Sequence, residues 1–212
     1  MKEILQTPEG FNYFKDEKFV ISQVKNEYKE IKFLKDDVVI DMGANIGAFS
    51  FNADKIVKQI IAVEPNIIAF KLLNMNLNGN SIKYNKAIVQ QNGPSTIDLY
   101  YTNNTVITRN SKLRHSNKTT IKTISIDKLM AYNPTILKID IEGAEYEWIQ
   151  DIIFPKSVKQ IAVELHSTRK YMYEKRDEAI KNILSQGFKT ISEHIIKLYG
   201  RIGAITYVFK RN

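Results

Sequence analysis

The chain has 212 residues, enough for one domain and too few for two full cores. Apolar residues make up 43%, which excludes a disordered chain, and the absence of cysteine excludes disulfides, zinc–thiolate sites and thiol nucleophiles. The net charge of +8 suits an anionic partner such as nucleic acid, a phosphorylated sugar or a membrane surface, although lysine-rich solvated surfaces carry such charge without any partner.

The first residues, MKEILQTPEGFNYF, lack the continuous apolar run of a signal peptide, and no later run approaches the length of a membrane span. A soluble, cytoplasmic protein is expected. Residues 1–35 are mixed and charged, with aromatics at Phe11, Tyr13, Phe14, Phe19, Tyr28 and Phe33, and read as a lead-in cap on a body spanning 36–212.

From Val38 the pattern alternates between strand and helix. Val38–Asp41 is a short buried strand, and Asn45–Val57 a helix after a glycine turn. Gln59–Glu64 is a second strand. Pro65–Asn78 carries Ile67, Phe70, Leu73 and Leu77 at helical spacing, with Gly79 as the stop. Ile82–Val89 is a weaker third strand. Residues 90–126 break the rhythm: two alternating stretches flank a polar, basic loop and predict an antiparallel insertion. Asp127 can cap a short helix. Thr135–Asp140 then reads as a strand, Ala144–Asp151 as a helix, Gln160–Leu165 as a strand and Arg169–Gln186 as a helix. Phe188–Ser192 and Ala204–Lys210 end the chain as strands. Such alternation implies an α/β fold, an open and mainly parallel sheet with helices on both faces. Ligands bind such sheets beyond the carboxyl ends of the strands, near the switch point. Four strands end at or beside a carboxylate: Asp41, Glu64, Asp140 and Glu164.

The turn after the first strand reads VVIDMGANIGAFS. Glycines there let a ligand approach the backbone closely. A dinucleotide wants G-x-G-x-x-G, but Asn45 replaces the middle glycine, and Asp41 would repel a pyrophosphate. S-adenosylmethionine (SAM) carries no phosphate. Asp41 suits its cationic methionyl end, directly or through water. Glu64, 21 residues after Gly43, suits its ribose diol, and Lys86, Ala87 and Ile88 would flank its adenine. The plain alternative is an ordinary turn with Asp41 as a helix cap.

The stretches VVIDMGANIGAFS, AVEPN, SIDKL, LKIDIEGAEYEWI and VELH together resemble the FkbM-type methyltransferases in order and spacing, over about Tyr28 to His166. The resemblance implies a Rossmann-like class I methyltransferase with a mostly parallel seven-stranded sheet. It implies SAM as cofactor, with Asp41, Gly43, Ala44, Asn45, Gly47, Glu64, Pro65 and Ala87 at the cofactor. It also implies O-methylation of a natural product or sugar, while leaving the acceptor open. Residues 1–27 and the loop 102–120 lie outside its motifs.

The second constellation is LKIDIEGAEYE. Asp140, Glu142 and Glu145 crowd one strand end, and Gly143 permits the tight turn that follows. Such carboxylates can take a proton from an acceptor hydroxyl, bind a divalent cation (Asp140 with Glu142), or hold acceptor hydroxyls. A hydroxyl is a poor nucleophile until deprotonated, and His166 in VELHS, with an ordinary pKa near 6.5, is a candidate base. Asp140, Glu142 and His166 are therefore the catalytic candidates, with Glu145 and Glu164 as substrate-binding ones. Each has a plain alternative: Glu142 and Glu145 favour a helix N-terminus, and His166 can be a loop residue without a role. Lys138 can pair with one of these acids.

The leading expectation is SAM-dependent O-methylation of a sugar, glycan or other small metabolite. A second makes RNA the acceptor, resting on Arg109, Lys112, Arg114, His115, Lys118 and Lys122, though no aromatic RNA-reading motif accompanies them. A third is a SAM-binding protein without catalysis. An NAD-dependent oxidoreductase fits least. Oligomeric state is not legible.

Overall fold

The computed structural model describes residues 3–102, 105–107, 117–166, 170–198 and 201–211. The chain opens with an antiparallel hairpin of β1 (Ile4–Gln6) and β2 (Asn12–Phe14), then helix α1 (Phe19–Glu27). The body follows as β3 (Val38–Met42), α2 (Ala48–Ala53), β4 (Gln59–Val63), α3 (Ile67–Asn76) and β5 (Ser81–Tyr84). After an excursion the chain returns as β10 (Ile136–Ile139), β11 (Gln160–His166), α5 (Lys170–Ser185), β12 (Phe188–Leu198) and β13 (Arg201–Arg211). The excursion holds β6 (Ala87–Val89), β7 (Thr96–Thr102), β8 (Thr105–Ile107), β9 (Asn117–Ser125) and α4 (Ile126–Met130).

The main sheet has seven strands in the order β12-β13-β11-β10-β3-β4-β5. The five from β5 to β11 are parallel neighbours, while β13 runs antiparallel to both β11 and β12. The chain winds outward from β3 to β5, then crosses back to β10. The switch point therefore lies between the tips of β3 and β10.

Alternation along the strands builds a core on each face. Ile40, Met42, Ile61, Val63, Leu137, Ile139, Ile161 and Val163 face Leu129 of α4 and Ile183 of α5. Val39, Ile60, Ala62, Ile136, Ala162 and Val208 face Phe49 of α2 and Leu73 of α3. Each fully buried branched side chain contributes roughly 1.5–3 kcal/mol, so a one-residue slip in any central strand would be prohibitive.

Helices thus cover both faces, but several boundaries differ from those expected. The third strand divides. β5 stays in the main sheet, and β6 leaves to pair in parallel with β9, which carries antiparallel β7 and β8. The insertion is therefore antiparallel within itself but attached through a parallel pair. α2 is much shorter than 45–57, because residues 43–47 form the loop with left-handed backbone at Gly43, Asn45 and Gly47. Residues 144–151 give a single 3-10 turn, Ala144–Glu147, in place of a helix. α4 is capped by Ser125, whose hydroxyl accepts from the Lys128 N–H, with Asp127 inside its first turn. β12 and β13 run eleven residues each, longer than the apolar pattern indicated. Arg109, Lys112, Arg114 and His115 lie outside the described residues.

The N-terminal hairpin packs Phe11, Tyr13 and Phe14 against Ile46, Ala48, Ala69 and Leu72. Buried Asn76 stitches this layer together. Its Oδ1 accepts from the Asn12 N–H at 2.7 Å, and its Nδ2 donates to the Ile46 carbonyl at 2.7 Å. Just after α1, Tyr28 meets the Phe49 ring edge-on at 5.3 Å.

Candidate active site

The loop 43–47 is shaped by one contact. Gly43 has φ +77°, and a Cβ there would sit 1.7 Å from the Asp140 carbonyl oxygen. Only glycine lets the tip of β3 pass this close to β10. The Gly43 and Ala44 N–H groups both donate to the Val63 carbonyl at 3.0 Å, which ties the loop to β4. Gly47, at φ +88°, abuts Leu73.

Asp41 is fully buried. Its Oδ2 accepts from Ser50 Oγ at 2.6 Å, and its Oδ1 faces Lys138 Nζ at 3.4 Å. The side chain expected to meet a ligand is thus turned inward, to hold Ser50 and Lys138. Lys138 is the hub of the site: Nζ donates to the Gly43 carbonyl at 2.6 Å and pairs with Asp140 Oδ2 at 3.4 Å. Burial opposes its charge, but the Asp41 and Asp140 carboxylates outweigh burial and hold the ammonium above its ordinary range.

Glu64 lies at the tip of β4, 5% exposed. Its Oε2 accepts from the Asn45 N–H at 2.8 Å and its Oε1 from the Asn66 N–H at 2.7 Å. Each oxygen keeps a lone pair for a further donor. Burial pushes its pKa up to about 7 against the pull of these two N–H groups. Asn85, which sequence reasoning missed, donates to the carbonyls of Glu64 and Pro65 at 2.9 and 3.0 Å and fixes that turn. Ala87 is buried at the start of β6. Lys86 turns elsewhere: its ammonium lies 5.3 Å from the Tyr84 ring centroid and lines an open cavity with Thr123, Ile124, Lys128 and Tyr132.

At the tips of β10 and β11 the acids converge on one imidazole. His166 Nε2 lies 3.3 Å from Glu142 and 3.4 Å from Glu164, and its Nδ1 lies 3.3 Å from Glu145. Glu145, expected at the acceptor, is fully buried instead. Its Oε2 accepts from the Gly143 N–H at 2.8 Å, and its Oε1 faces the His166 ring and N–H, so it orients the histidine. Tyr146 donates its hydroxyl to the His166 carbonyl at 2.8 Å, and with Trp148 it packs in the core. Burial opposes protonation of His166, but the Glu142 and Glu145 carboxylates prevail and raise its pKa well above the ordinary value. An imidazolium donates from both nitrogens and cannot act as a base. This charge balance favours His166 as a donor to the surrounding carboxylates over the neutral base expected. Glu164 is nearly buried, and burial together with the Asp140 charge pushes its pKa up to about 8.

Donor atoms of Asp140, Glu164 and His166 lie within 4.8 Å of one another, a set of two carboxylates and an imidazole that suits a divalent cation. Glu142, paired with Asp140 in the sequence reading, instead meets His166 from a left-handed backbone, φ +56°.

The cleft thus has a loop half at β3 and β4 and an acidic half at β10 and β11, joined by Lys138. Residues 41–190 match the family model described as the methyltransferase FkbM domain. The chain belongs to the FkbM methyltransferase family. It is accordingly a SAM-dependent methyltransferase.

No curated protein sequence matches the chain. Among solved structures it is similar to PH0793 of Pyrococcus horikoshii, with a TM-score of 0.54 and 13% identity over 99% of this chain and 71% of that one. Trm5b of Pyrococcus abyssi gives 0.52 and 14% over 96% of this chain and 52% of that one. The tRNA m1G37 methyltransferase of M. jannaschii gives 0.51 and 17% over 100% and 55%. The chain spans about half the length of the last two, and at these identities the likeness is one of fold. It supports the Rossmann-like α/β architecture. No helix among the described residues is long and apolar enough to cross a membrane.

Proposed function

We propose that this methyltransferase moves the methyl group of SAM to a hydroxyl of a sugar, glycan or other small metabolite. The observation that carries this reading is the acidic half of the cleft, coupled through Lys138 to the Gly43 carbonyl. In this reading the loop 43–47, with Glu64, Pro65 and Ala87, holds the cofactor. Glu64 accepts both hydrogens of the ribose diol with the lone pairs its backbone bonds leave free.

The acceptor hydroxyl sits between Asp140 and Glu164. As the new O–C bond forms and the S–C bond breaks, the hydroxyl proton passes to Glu164, and S-adenosylhomocysteine leaves as a neutral thioether. The nearby His166 cation steadies the ionised carboxylates. Alignment supplies much of the acceleration, because the sulfonium is already a good leaving group. With His166 deprotonated, Asp140, Glu164 and His166 are instead the residues that would hold a divalent cation, which would acidify the acceptor hydroxyl. Residues 1–35 serve as a lead-in layer that braces the cofactor loop through Asn76.

The RNA reading rests on basic residues, of which Lys118 is already paired with Asp98 at 2.8 Å. The acid-lined cleft disfavours a polyanion, because like charges brought together there repel. The test is calorimetric titration with SAM, S-adenosylhomocysteine and NAD, followed by tritium transfer to hydroxyl acceptors. Binding of the first two alone, with acid-stable label on oxygen, is expected. Binding of NAD, or label on RNA that persists at high salt, would overturn the assignment.

A further inference from the structure

The strand expected over 82–89 is broken at Asn85 and Lys86. β5 ends at Tyr84 on the edge of the main sheet, and β6 begins at Ala87 in the sheet of the insertion. The two halves diverge, because β5 stays beside β4 while β6 pairs Ile88 with Ile124 of β9. α4 follows β9 directly, and Tyr132, just past α4, meets the Tyr84 hydroxyl with its own at 2.6 Å. The divergence leaves an open cavity of about 430 Å³, lined by Tyr84, Lys86, Thr123, Ile124, Lys128 and Tyr132 among others. That volume falls in the range of small-molecule sites. Tyr84 and Tyr132 pack on the face of the sheet that α4 and α5 cover, whereas the loop 43–47 leads into α2 on the opposite face. The cavity is therefore separate from the cleft described above.

Its polar lining is made of donors. Lys86 Nζ lies 5.3 Å from the Tyr84 ring centroid, and among the described residues neither Lys86 nor Lys128 has a carboxylate partner. No described acid lines the cavity. Within the tyrosine pair one hydroxyl donates to the other, so the accepting hydroxyl keeps its own proton for a third group. Thr123 spends its hydroxyl proton on the Pro94 carbonyl at 2.5 Å. Two ammonium groups and a phenol O–H, brought together from β5, its exit and α4, lack an acceptor with about two negative charges. A phosphate monoester carries that charge near pH 7, with three acceptor oxygens, and lysine binds it as a point charge. A cavity of this size also has room for the molecule that bears the phosphate, against Ile124 and the tyrosine rings.

We propose that this cavity binds a phosphorylated small molecule, its phosphoryl group held by Lys86, Lys128 and the Tyr84–Tyr132 hydroxyl pair. The site goes beyond the methyl-transfer reading and does not depend on it.

The test is calorimetric titration of the full chain with D-glucose 6-phosphate and phenyl phosphate, with D-glucose and phenol as their uncharged counterparts, and with a short single-stranded RNA. A Kd of about 1 mM or tighter is expected for at least one of the two phosphates, with no binding of D-glucose or phenol. Lys86→Met and Lys128→Met keep the apolar stem and remove the charge, and each should weaken the phosphate about tenfold. Tyr132→Phe should weaken it about threefold, because Tyr84 then turns its proton elsewhere or stands alone. Lys156→Met, at an exposed lysine away from the cavity lining, should change nothing. Melting temperatures should stay within a degree or two of wild type in the lysine variants, since none of the three lysines is buried. Binding of neither phosphate overturns the proposal. So does an equal loss in Lys156→Met, or tighter binding of the RNA, either of which would mark a general polyanion surface. Displacement of S-adenosylhomocysteine by the phosphate would assign the cavity to the cofactor and overturn it as well. A wild type that binds the phosphate but no S-adenosylhomocysteine would leave this site standing and remove the methyltransferase reading instead.

Discussion

The two halves of the cleft are built on different principles. The loop half is made largely of backbone: two left-handed glycines, one left-handed asparagine, and N–H groups tied to the Val63 carbonyl and the Glu64 carboxylate. The acidic half is made of side chains, with three carboxylates around His166 and a fourth on Lys138. A cofactor shared by a whole family can be met by fixed backbone. An acceptor that varies between members must be met by side chains, which change without refolding the sheet.

The comparison is broken most severely at Gly43. Alanine there must clear a carbonyl oxygen 1.7 Å away and adopt φ +77°. Gly43→Ala should destabilise the fold by more than about 4 kcal/mol or yield no folded protein, as read by urea unfolding followed by circular dichroism. A folded variant with ordinary cofactor affinity would show that the loop does not need its close approach. Next comes Lys138→Met, which strands the fully buried Asp41 carboxylate without its counter-charge. A loss of about 3–5 kcal/mol is expected in the same assay. Because Lys138 serves both halves, cofactor affinity and transfer should fall together.

The sequence made the loop half far more legible than the acidic half. DMGANIG and Glu64 announce themselves because glycine spacing and an acid at a strand tip are local features. The strand–helix alternation likewise yields the sheet. What the sequence hides depends on partners far along the chain. Asp41 looked free to meet a ligand because Ser50 and Lys138, which occupy it, carry no local signal beyond the alternation of LKID. His166 looked like a base because nothing in VELHS tells that Glu142 and Glu145 will surround it. The split of Ile82–Val89 into two sheets escaped notice because β6 is buried whichever sheet it joins.

A pH series sharpens the contrast further. Burial raises the Glu64 pKa to about 7. Below the ordinary carboxylate range the acid is protonated in both folded and unfolded chains. Between that range and pH 7 only the unfolded chain has released its proton, so this group's contribution to stability is lost as pH rises to about 7 and stays flat above. The cofactor works the other way, because a ribose diol donates to the ionised form. S-adenosylhomocysteine should bind about tenfold more tightly at pH 8 than at pH 6, and Glu64→Gln should abolish that slope while weakening binding throughout. An equal slope in wild type and variant would remove Glu64 from the ribose.

The smallest effect is expected at Glu142, where stability and function should part company. Its backbone sits at φ +56°, where a side chain costs of order 1 kcal/mol, and its half-exposed carboxylate regains little of that through His166. Glu142→Gly relieves the strain but loosens the unfolded chain, and the two effects nearly cancel. The melting temperature should therefore move by only a degree or two, and cofactor affinity should not change. Methyl transfer should nonetheless fall about tenfold, because His166 loses one of the acids that hold it protonated beside Glu164. If transfer stays intact, the strained residue serves the turn alone, and orientation of His166 belongs to Glu145, whose buried carboxylate would then be the acid that the acceptor half cannot lose.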